Sequence, residues 1–376
     1  MMSKKVLLLS AYDATSHRAW RQRLVSLFPE LQWVELVLPG RHFNWRIRGN
    51  SLQWAMTEEK TLTRDYDLLI ATSMVDLAGL RGLVPPLSKL PTAVYFHENQ
   101  FVYPAGLQRK ANIEHQLVPL YSALCADRIV FNSQFNRQSF LEGVRSLIKK
   151  LPDKLPNTII DRLTDSQVIP VPVILSPDTQ FEAESTSPNL EVIWNHRWEY
   201  DKGIDLLLAL VTQILDQALP IRLHIAGEQF RQQPSQFLDI DRILTEHARA
   251  VSIARGNFGF IPAWRDYVAL LQRCDAVLST ALHDFQGLAI QEAAGAGCTP
   301  LAPDDLVYPE YLDPGFLYKR RDQHADTARE ILARLTAWQY LKASRETLPK
   351  ASLEQFGKES VKGQYLELFD SLWKAD

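Results

Sequence analysis

The stretch Leu278 to Leu301, LSTALHDFQGLAIQEAAGAGCTPL, sets two carboxylates about a turn that opens into a helix. Residues 277–280 read as the end of a buried strand and residues 287–296 as a helix. The helix start at Gly287 then presents unpaired backbone N–H groups and the positive end of its dipole, which suits an anion such as a diphosphate. Asp284 lies in the turn and Glu292, with seven residues between them, about a turn into the helix. Both are placed to accept hydrogen bonds from sugar hydroxyls. The same segment also fits an ordinary strand-turn-helix unit whose acids compensate the dipole.

A second anion-directed group is Asn195-His196-Arg197-Trp198, followed by Asp201-Lys202-Gly203 and a Leu-rich helix. Arg197 offers a planar fork and Lys202 a mobile point charge, and both could reach one phosphate and neutralise charge on a departing diphosphate. Cations are disfavoured at a helix start, which favours an anionic ligand over a chance pair of surface cations. His97-Glu98-Asn99-Gln100 ends the apolar run TAVYF; it is no zinc motif, because HExxH needs His where Phe101 stands. It reads either as a capped turn or as a site where His97 meets a reacting sugar or acceptor while Glu98 and Asn99 orient hydroxyls. Ser16 is expected to cap the first helix, with His17 beside it. The segment from Pro39 to Asn50 interleaves Arg41, His42, Arg46 and Arg48 with Phe43 and Trp45 in what reads as a loop. Cations suit phosphates and aromatics suit unstacked bases, although the aromatics could equally pack on their own domain.

The elements that must carry these groups alternate from the start: KVLLLS, a helix over residues 16–28, residues 33–38, DLLIATS, TAVYFHE, a helix ending near Cys125, and DRIVFNS. Short apolar strands separated by helical periods predict parallel sheets covered on both faces. The pattern restarts after a Pro-rich passage with EVIWNHRW, IRLHIAGE, GNFGFI, CDAVLST and CTPLAP, which places a hinge between Val171 and Pro188. We therefore expect two doubly wound domains, residues 1–175 and 188–351. An amphipathic C-terminal helix within 352–376 is expected to dock back on the first, using Leu353, Phe356, Val361, Tyr365, Leu368 and Leu372. Ligands of such sheets bind at strand carboxyl ends, and a cleft between two facing sheets is the expected site.

The totals agree with this plan. A chain of 376 residues suits two cores of about 150 to 200 residues each. With 46% hydrophobic and 23% charged residues and no apolar run near the ~18 needed to span a bilayer, no membrane association is expected. The segment MMSKKVLLLSAY reads as a first strand rather than a signal sequence. Three scattered cysteines suit neither a disulfide framework nor a zinc site, and point to a cytoplasmic protein. Net charge is −3, but residues 1–150 hold 19 Lys+Arg against 12 Asp+Glu, a balance of +7, leaving −10 for the rest. The first half is thus suited to an anionic partner, and an RNA acceptor would account for both its charge and its aromatic-basic segment.

The acidic pair around Gly287 and the Arg followed by Lys-Gly resemble the retaining glycosyltransferases of family 4. Further phrases, LPGRHFNWRIRG, VYFHENQFVYP, DRIVFNSQFN, WNHRWEYDKG and the extension through LVYPEYL, resemble the branch typified by tRNA-queuosine mannosyltransferase. Two departures stand out: Asp13-Ala14-Thr15 replaces a pair of glycines, and Asp284 stands where the family usually has Glu. The resemblance implies a GT-B fold, GDP-mannose as donor, no cofactor and no metal requirement. It implies a tRNA carrying queuosine, expected to be tRNA-Asp, as acceptor, with no obligate protein partner. It implies that Arg197, Lys202, Gly227, Glu228, Gly287, Leu288 and Glu292 bind the donor, Glu292 at the ribose. His97, Arg197, Lys202 and Asp284 would serve catalysis. Ser16, His17, Arg41, His42, Trp45, Arg46, Arg48, Glu98, Asn99 and Gln100 would meet the acceptor. A family 4 enzyme with another nucleotide sugar and a lipid-linked or small-molecule acceptor is one alternative; a catalytically silent tRNA-binding module is the other.

Overall fold

The computed structural model describes residues 3–102, 113–173, 187–230, 233–248 and 255–374. Most of the expected hinge, and the Tyr103-Pro104 end of the VYFHENQFVYP phrase, lie outside them. The chain divides into two compact units, Met1–Pro172 with Lys358–Asp376, and Val173–Gly357.

In the first unit the strands are β1 (Lys5–Asp13), β2 (Gln32–Pro39), β3 (Leu68–Thr72), β4 (Thr92–Phe96), β5 (Arg128–Phe131) and β6 (Ser166–Val168), in spatial order β2-β1-β3-β4-β5-β6. Every neighbouring pair is parallel. β3 and β4 are buried at all five positions, as strands covered on both faces require, which is why LLIAT and TAVYF are continuously apolar rather than alternating. Strand order reverses between β1 and β3, so the carboxyl ends of these strands form the crevice where such sheets take ligands.

The second unit holds β7 (Leu190–Trp194), β8 (Ile221–Ala226), β9 (Phe258–Gly259), β10 (Ala276–Leu278), β11 (Thr299–Pro303) and β12 (Leu317–Tyr318), again all parallel, in order β12-β11-β10-β7-β8-β9. Here the order reverses between β7 and β10. Helix Ile204–Asp216 covers the sheet through Ile204, Leu207, Val211 and Ile214, one helical face that is buried throughout. Each such side chain contributes about 1.5–3 kcal/mol of burial.

Three readings change. The Pro39–Asn50 segment is not a loop: helix Phe43–Thr57 begins inside it, with His42 in the left-handed region at φ 59° and no side-chain cap, so the usual start signals are missing. Ser16 does not cap the first helix, which runs Thr15–Leu27 with Ala14 at the cap position. The C-terminal helix is Lys358–Trp373; Leu353 and Phe356 instead pack with Val173 in the second unit. Val361, Tyr365, Leu368, Phe369 and Leu372 form its buried face in the first unit, where Tyr365 Oη accepts a 2.7 Å hydrogen bond from Trp20 Nε1.

Candidate active site

Two loops at the reversal of the second sheet are fastened together. Thr280, just past β10, accepts a hydrogen bond from Trp194 Nε1 of β7 at 2.8 Å and donates its hydroxyl to the Lys202 carbonyl at 2.7 Å. The Leu282 and His283 N–H groups both donate to the Asp201 carbonyl, at 2.7 and 3.2 Å. Lys202 is therefore buried, and its Nζ donates to the His283 carbonyl at 2.7 Å, with Asp201 Oδ2 at 3.1 Å and Asp284 Oδ2 at 3.9 Å.

Asp284 works at the helix start that the sequence pointed to. Its Oδ1 accepts the Gly287 N–H at 3.0 Å and its Oδ2 the Tyr308 hydroxyl at 3.2 Å. Burial raises the Asp284 pKa, but Lys202 above all, with His196 and the Gly287 N–H, holds it below the usual carboxylate value. Helix Leu288–Gly295 follows Gly287, whose φ of 74° and crowding, with any Cβ 2.7 Å from Tyr311 Oη, admit only glycine without strain. Leu288 is the first helical residue and half-buried. Glu292, also half-buried, stands beside Tyr267: after burial, its charge is the largest cause raising that phenol's pKa. Tyr267 Oη accepts from Asn195 Nδ2 at 2.8 Å, and the same Nδ2 donates to the Ala289 carbonyl at 2.9 Å, which ties the end of β7 to the helix start.

Arg197 projects outward, its side chain 46% exposed and 3.0 Å from Glu199 Oε2. Gly227, at the end of β8, lies so close to the His196 carbonyl that a Cβ would be 1.8 Å away. Next to it the Glu228 carbonyl accepts the Trp198 N–H at 2.9 Å. The predicted donor residues thus collect at one edge of this sheet. The sequence reading missed three side chains among them: His196 Nε2 lies 3.0 Å from Ser279 Oγ, which lies 2.8 Å from Tyr308 Oη, which bonds Asp284. Burial, then Lys202, pulls the His196 pKa down to about 4, so the ring is neutral near pH 7. His196 and Tyr308 stand inside the motif phrases, but no spacing rule brings positions 196, 279 and 308 together.

In the first unit His97 follows β4 and is buried, its ring stacked on His17 at 4.1 Å and edged by Trp20 and Tyr95, each at 4.7 Å. His97 Nε2 is buried without a hydrogen-bond partner. Burial, then His17, holds the His97 pKa well below its ordinary value, so this ring too is neutral. Asp13, which ends β1 where glycines were expected to follow, is buried between Arg18 Nε and Arg21 Nε, each 3.1 Å away. Ser16 is exposed.

The polar phrase after His97 divides. Asn99 is buried, donating to the carbonyl and Oδ1 of Asn136 and to Ser139 Oγ, while its Oδ1 accepts the Phe101 N–H at 3.0 Å. It braces the turn rather than facing a ligand. Glu98 and Gln100 are half-buried and 3.3 Å apart. Arg46 is buried against Gln53, and Arg48 pairs with Glu114 at 2.6 Å and Asp76 at 3.3 Å. Arg41, His42 and Trp45 are exposed. Among the described residues no group of three or more His, Cys, Asp or Glu is placed to hold a metal ion, and no helix is long and apolar enough to cross a membrane.

Two parallel doubly wound units, with a buried ammonium and a carboxylate-bound helix start at the reversal of the second, fit a GT-B fold. Residues 178–347 match the family model for glycosyl transferases group 1, which gives the class of the protein, a glycosyltransferase. The whole chain resembles sucrose-phosphate synthase from Thermosynechococcus elongatus, with a TM-score of 0.68 at 14% identity over 99% of this chain and 100% of that one. It likewise resembles a trehalose-phosphate synthase from Burkholderia xenovorans, with a TM-score of 0.64 at 12% identity over 99% of each chain. Residues 5–173 match the model for the tRNA-queuosine alpha-mannosyltransferase N-terminal region. The tRNA-queuosine alpha-mannosyltransferase of Drosophila melanogaster is 31% identical over 83% of each chain. This chain belongs to the tRNA-queuosine alpha-mannosyltransferase family.

Proposed function

We propose that this enzyme transfers mannose from GDP-mannose to a cyclopentenediol hydroxyl of queuosine in the anticodon loop of a tRNA, tRNA-Asp in the first instance, with the α configuration retained. The observation that carries the reading is the fastening of Lys202, Asp284 and the Gly287 helix start at one sheet edge, in a chain whose residues 5–173 fit the tRNA-queuosine family model. The donor diphosphate sits at the helix start, with Lys202 and Arg197 neutralising the charge of departing GDP in place of a metal ion. Glu292 holds the ribose and Asp284 orients the helix start.

Retention follows from a front-face displacement. The bond from the anomeric carbon to the phosphate oxygen breaks as the bond to the acceptor oxygen forms on the same face, and the acceptor proton passes to the departing phosphate oxygen. His97, whose buried Nε2 has no hydrogen-bond partner and whose ring is held neutral, is suited to meet a hydroxyl without adding charge. The protein supplies positioning and charge stabilisation. Three free cysteines suit a reducing, cytoplasmic setting.

Incubation with labelled GDP-mannose and either queuosine-containing or queuosine-lacking tRNA tests this. Label should enter RNA only with the modified tRNA, and a chelator should leave the rate unchanged. Label in both RNAs would remove queuosine as the acceptor; label in neither, with donor hydrolysis intact, would favour another acceptor class.

A further inference from the structure

Gly49 sits in the interior of helix Phe43–Thr57, where glycine is a poor choice unless something needs the space of its missing side chain. It is buried, and what covers it is Trp45, one turn earlier. A Cβ on Gly49 would lie 2.3 Å from Trp45 Cε2 and 2.6 Å from Cδ2 and Cζ2. Cδ2 and Cε2 are the ring-fusion carbons and are enclosed in the ring plane by bonds, so an atom that near both lies over the face of the indole. One face of the ring therefore rests on Gly49. The other is turned away from the helix, and the residue is 55% exposed.

The helix beneath is fixed in place. Asn50 Nδ2 donates to the Met74 carbonyl and its Oδ1 accepts the Asp76 N–H, both at 3.1 Å; Ser51 Oγ donates to Asp76 Oδ2 at 3.0 Å, and Arg48 pairs with Asp76 and Glu114. Met74 and Asp76 follow β3, at the sheet's ligand-binding edge. Arg41 and His42 are exposed just before Trp45, and Leu52 and Met56, 50% and 67% exposed, continue an apolar strip along the helix. A rigid indole with one open face, next to cations in the half of the chain that carries a balance of +7, matches what an unpaired base with its phosphate requires.

We propose that Trp45 is a stacking platform for one unpaired base of the RNA acceptor, and that Gly49 exists to seat it. This rests on the RNA reading given above and identifies the residue that meets the base. Because every base has a π face, the contact selects single-stranded over paired RNA rather than one sequence.

The test is binding of the full-length protein to queuosine-containing tRNA at fixed salt, with melting temperature measured in parallel. Trp45→Ala should weaken binding about tenfold or more, and Trp45→Phe only about threefold. Gly49→Ala should weaken binding much as Trp45→Ala does, because its methyl displaces the indole, yet should melt no lower than wild type, since alanine is the better helix residue. A short unstructured oligoribonucleotide should compete and blunt duplex RNA should not. Equal tRNA affinity in wild type and Trp45→Ala overturns the platform and leaves the RNA reading standing. A wild-type protein indifferent to tRNA overturns both. Loss of self-association in Trp45→Ala, with tRNA affinity intact, overturns the proposal in favour of a second copy of this chain on that face.

Discussion

The ammonium of Lys202 is wrapped by one carbonyl and two carboxylates, whereas the guanidinium of Arg197 is half-exposed beside Glu199, so their substitutions should separate structure from catalysis. Lys202→Ala strips the cation from buried Asp201 and from half-buried Asp284, and should cost about 3 kcal/mol of stability as well as activity. Arg197→Ala should melt like wild type yet lose about 10²–10³ in kcat, by analogy with removal of a single charge-stabilising donor, while still binding tRNA. Transfer assays beside thermal melts check both; an Arg197→Ala enzyme with normal kcat would exclude that residue from leaving-group stabilisation. His196 adds a pH signature. Its pKa is about 4 in the folded chain against an ordinary 6.5, so the unfolded chain binds this proton more readily and stability falls as pH drops from about 6.5 to about 4. At about 1.4 kcal/mol per pH unit, the loss reaches about 3 kcal/mol. The depressed pKa of His97 acts in the same direction, as does the lowered pKa of Asp284, whose stabilisation is lost as pH falls through its folded value. Urea midpoints at pH 7.5 and 5 should therefore differ, and His196→Asn should flatten the difference. An unchanged slope in that variant would assign the acid sensitivity to other groups.

At the scale of elements, the turn from β10 into helix Leu288–Gly295 depends on a single glycine. Gly287→Ala must hold an L-residue at φ 74° with its methyl 2.7 Å from Tyr311 Oη and 2.9 Å from Tyr308 Cε1. The backbone strain alone is about 1–2 kcal/mol, and the helix start would shift from Asp284. We expect a lower melting temperature and at least a tenfold rise in donor KM, read by donor hydrolysis; a variant that melts low with normal KM would make the glycine purely structural. This turn was legible in sequence because a buried parallel strand reads as an unbroken apolar run and its end as polar residues before a helical period. The same logic located β1 to β5 and β7 to β11. It did not find β6 and β12, three and two residues long and too short to carry a period. Nor did it find the start of helix Phe43–Thr57, whose first turn has no acid and whose cap is a left-handed histidine. In the site, Lys202 and Asp284 were readable from their places at strand ends. The His196–Ser279–Tyr308 chain was not, because its contacts span 83 and 29 residues and exist only once the sheet order is fixed.

For the whole molecule, the chain leaves its first unit at Pro172 and returns at Lys358, so the second unit is an insertion into the first one's fold. The returning helix buries Val361, Tyr365, Leu368, Phe369 and Leu372. At about 1.5–3 kcal/mol each, these side chains represent on the order of 10 kcal/mol, comparable to the whole stability of a typical domain. A chain ending at Gly357 should therefore lose the first unit while the second keeps its own core. Tyr365→Phe is the milder version: it leaves Trp20 Nε1–H buried without its 2.7 Å acceptor and should cost about 1–3 kcal/mol. Hydrogen exchange reads both. Peptides from Thr15–Leu27 should exchange faster in Tyr365→Phe and without protection in the shortened chain, while peptides from Leu190–Trp194 stay as slow as in wild type. Equal loss of protection in both regions would mean that the units fold as one. If they fold separately, the shortened chain should still bind and slowly hydrolyse the nucleotide sugar but transfer nothing to tRNA, because the first unit loses the helix whose Tyr365 holds Trp20.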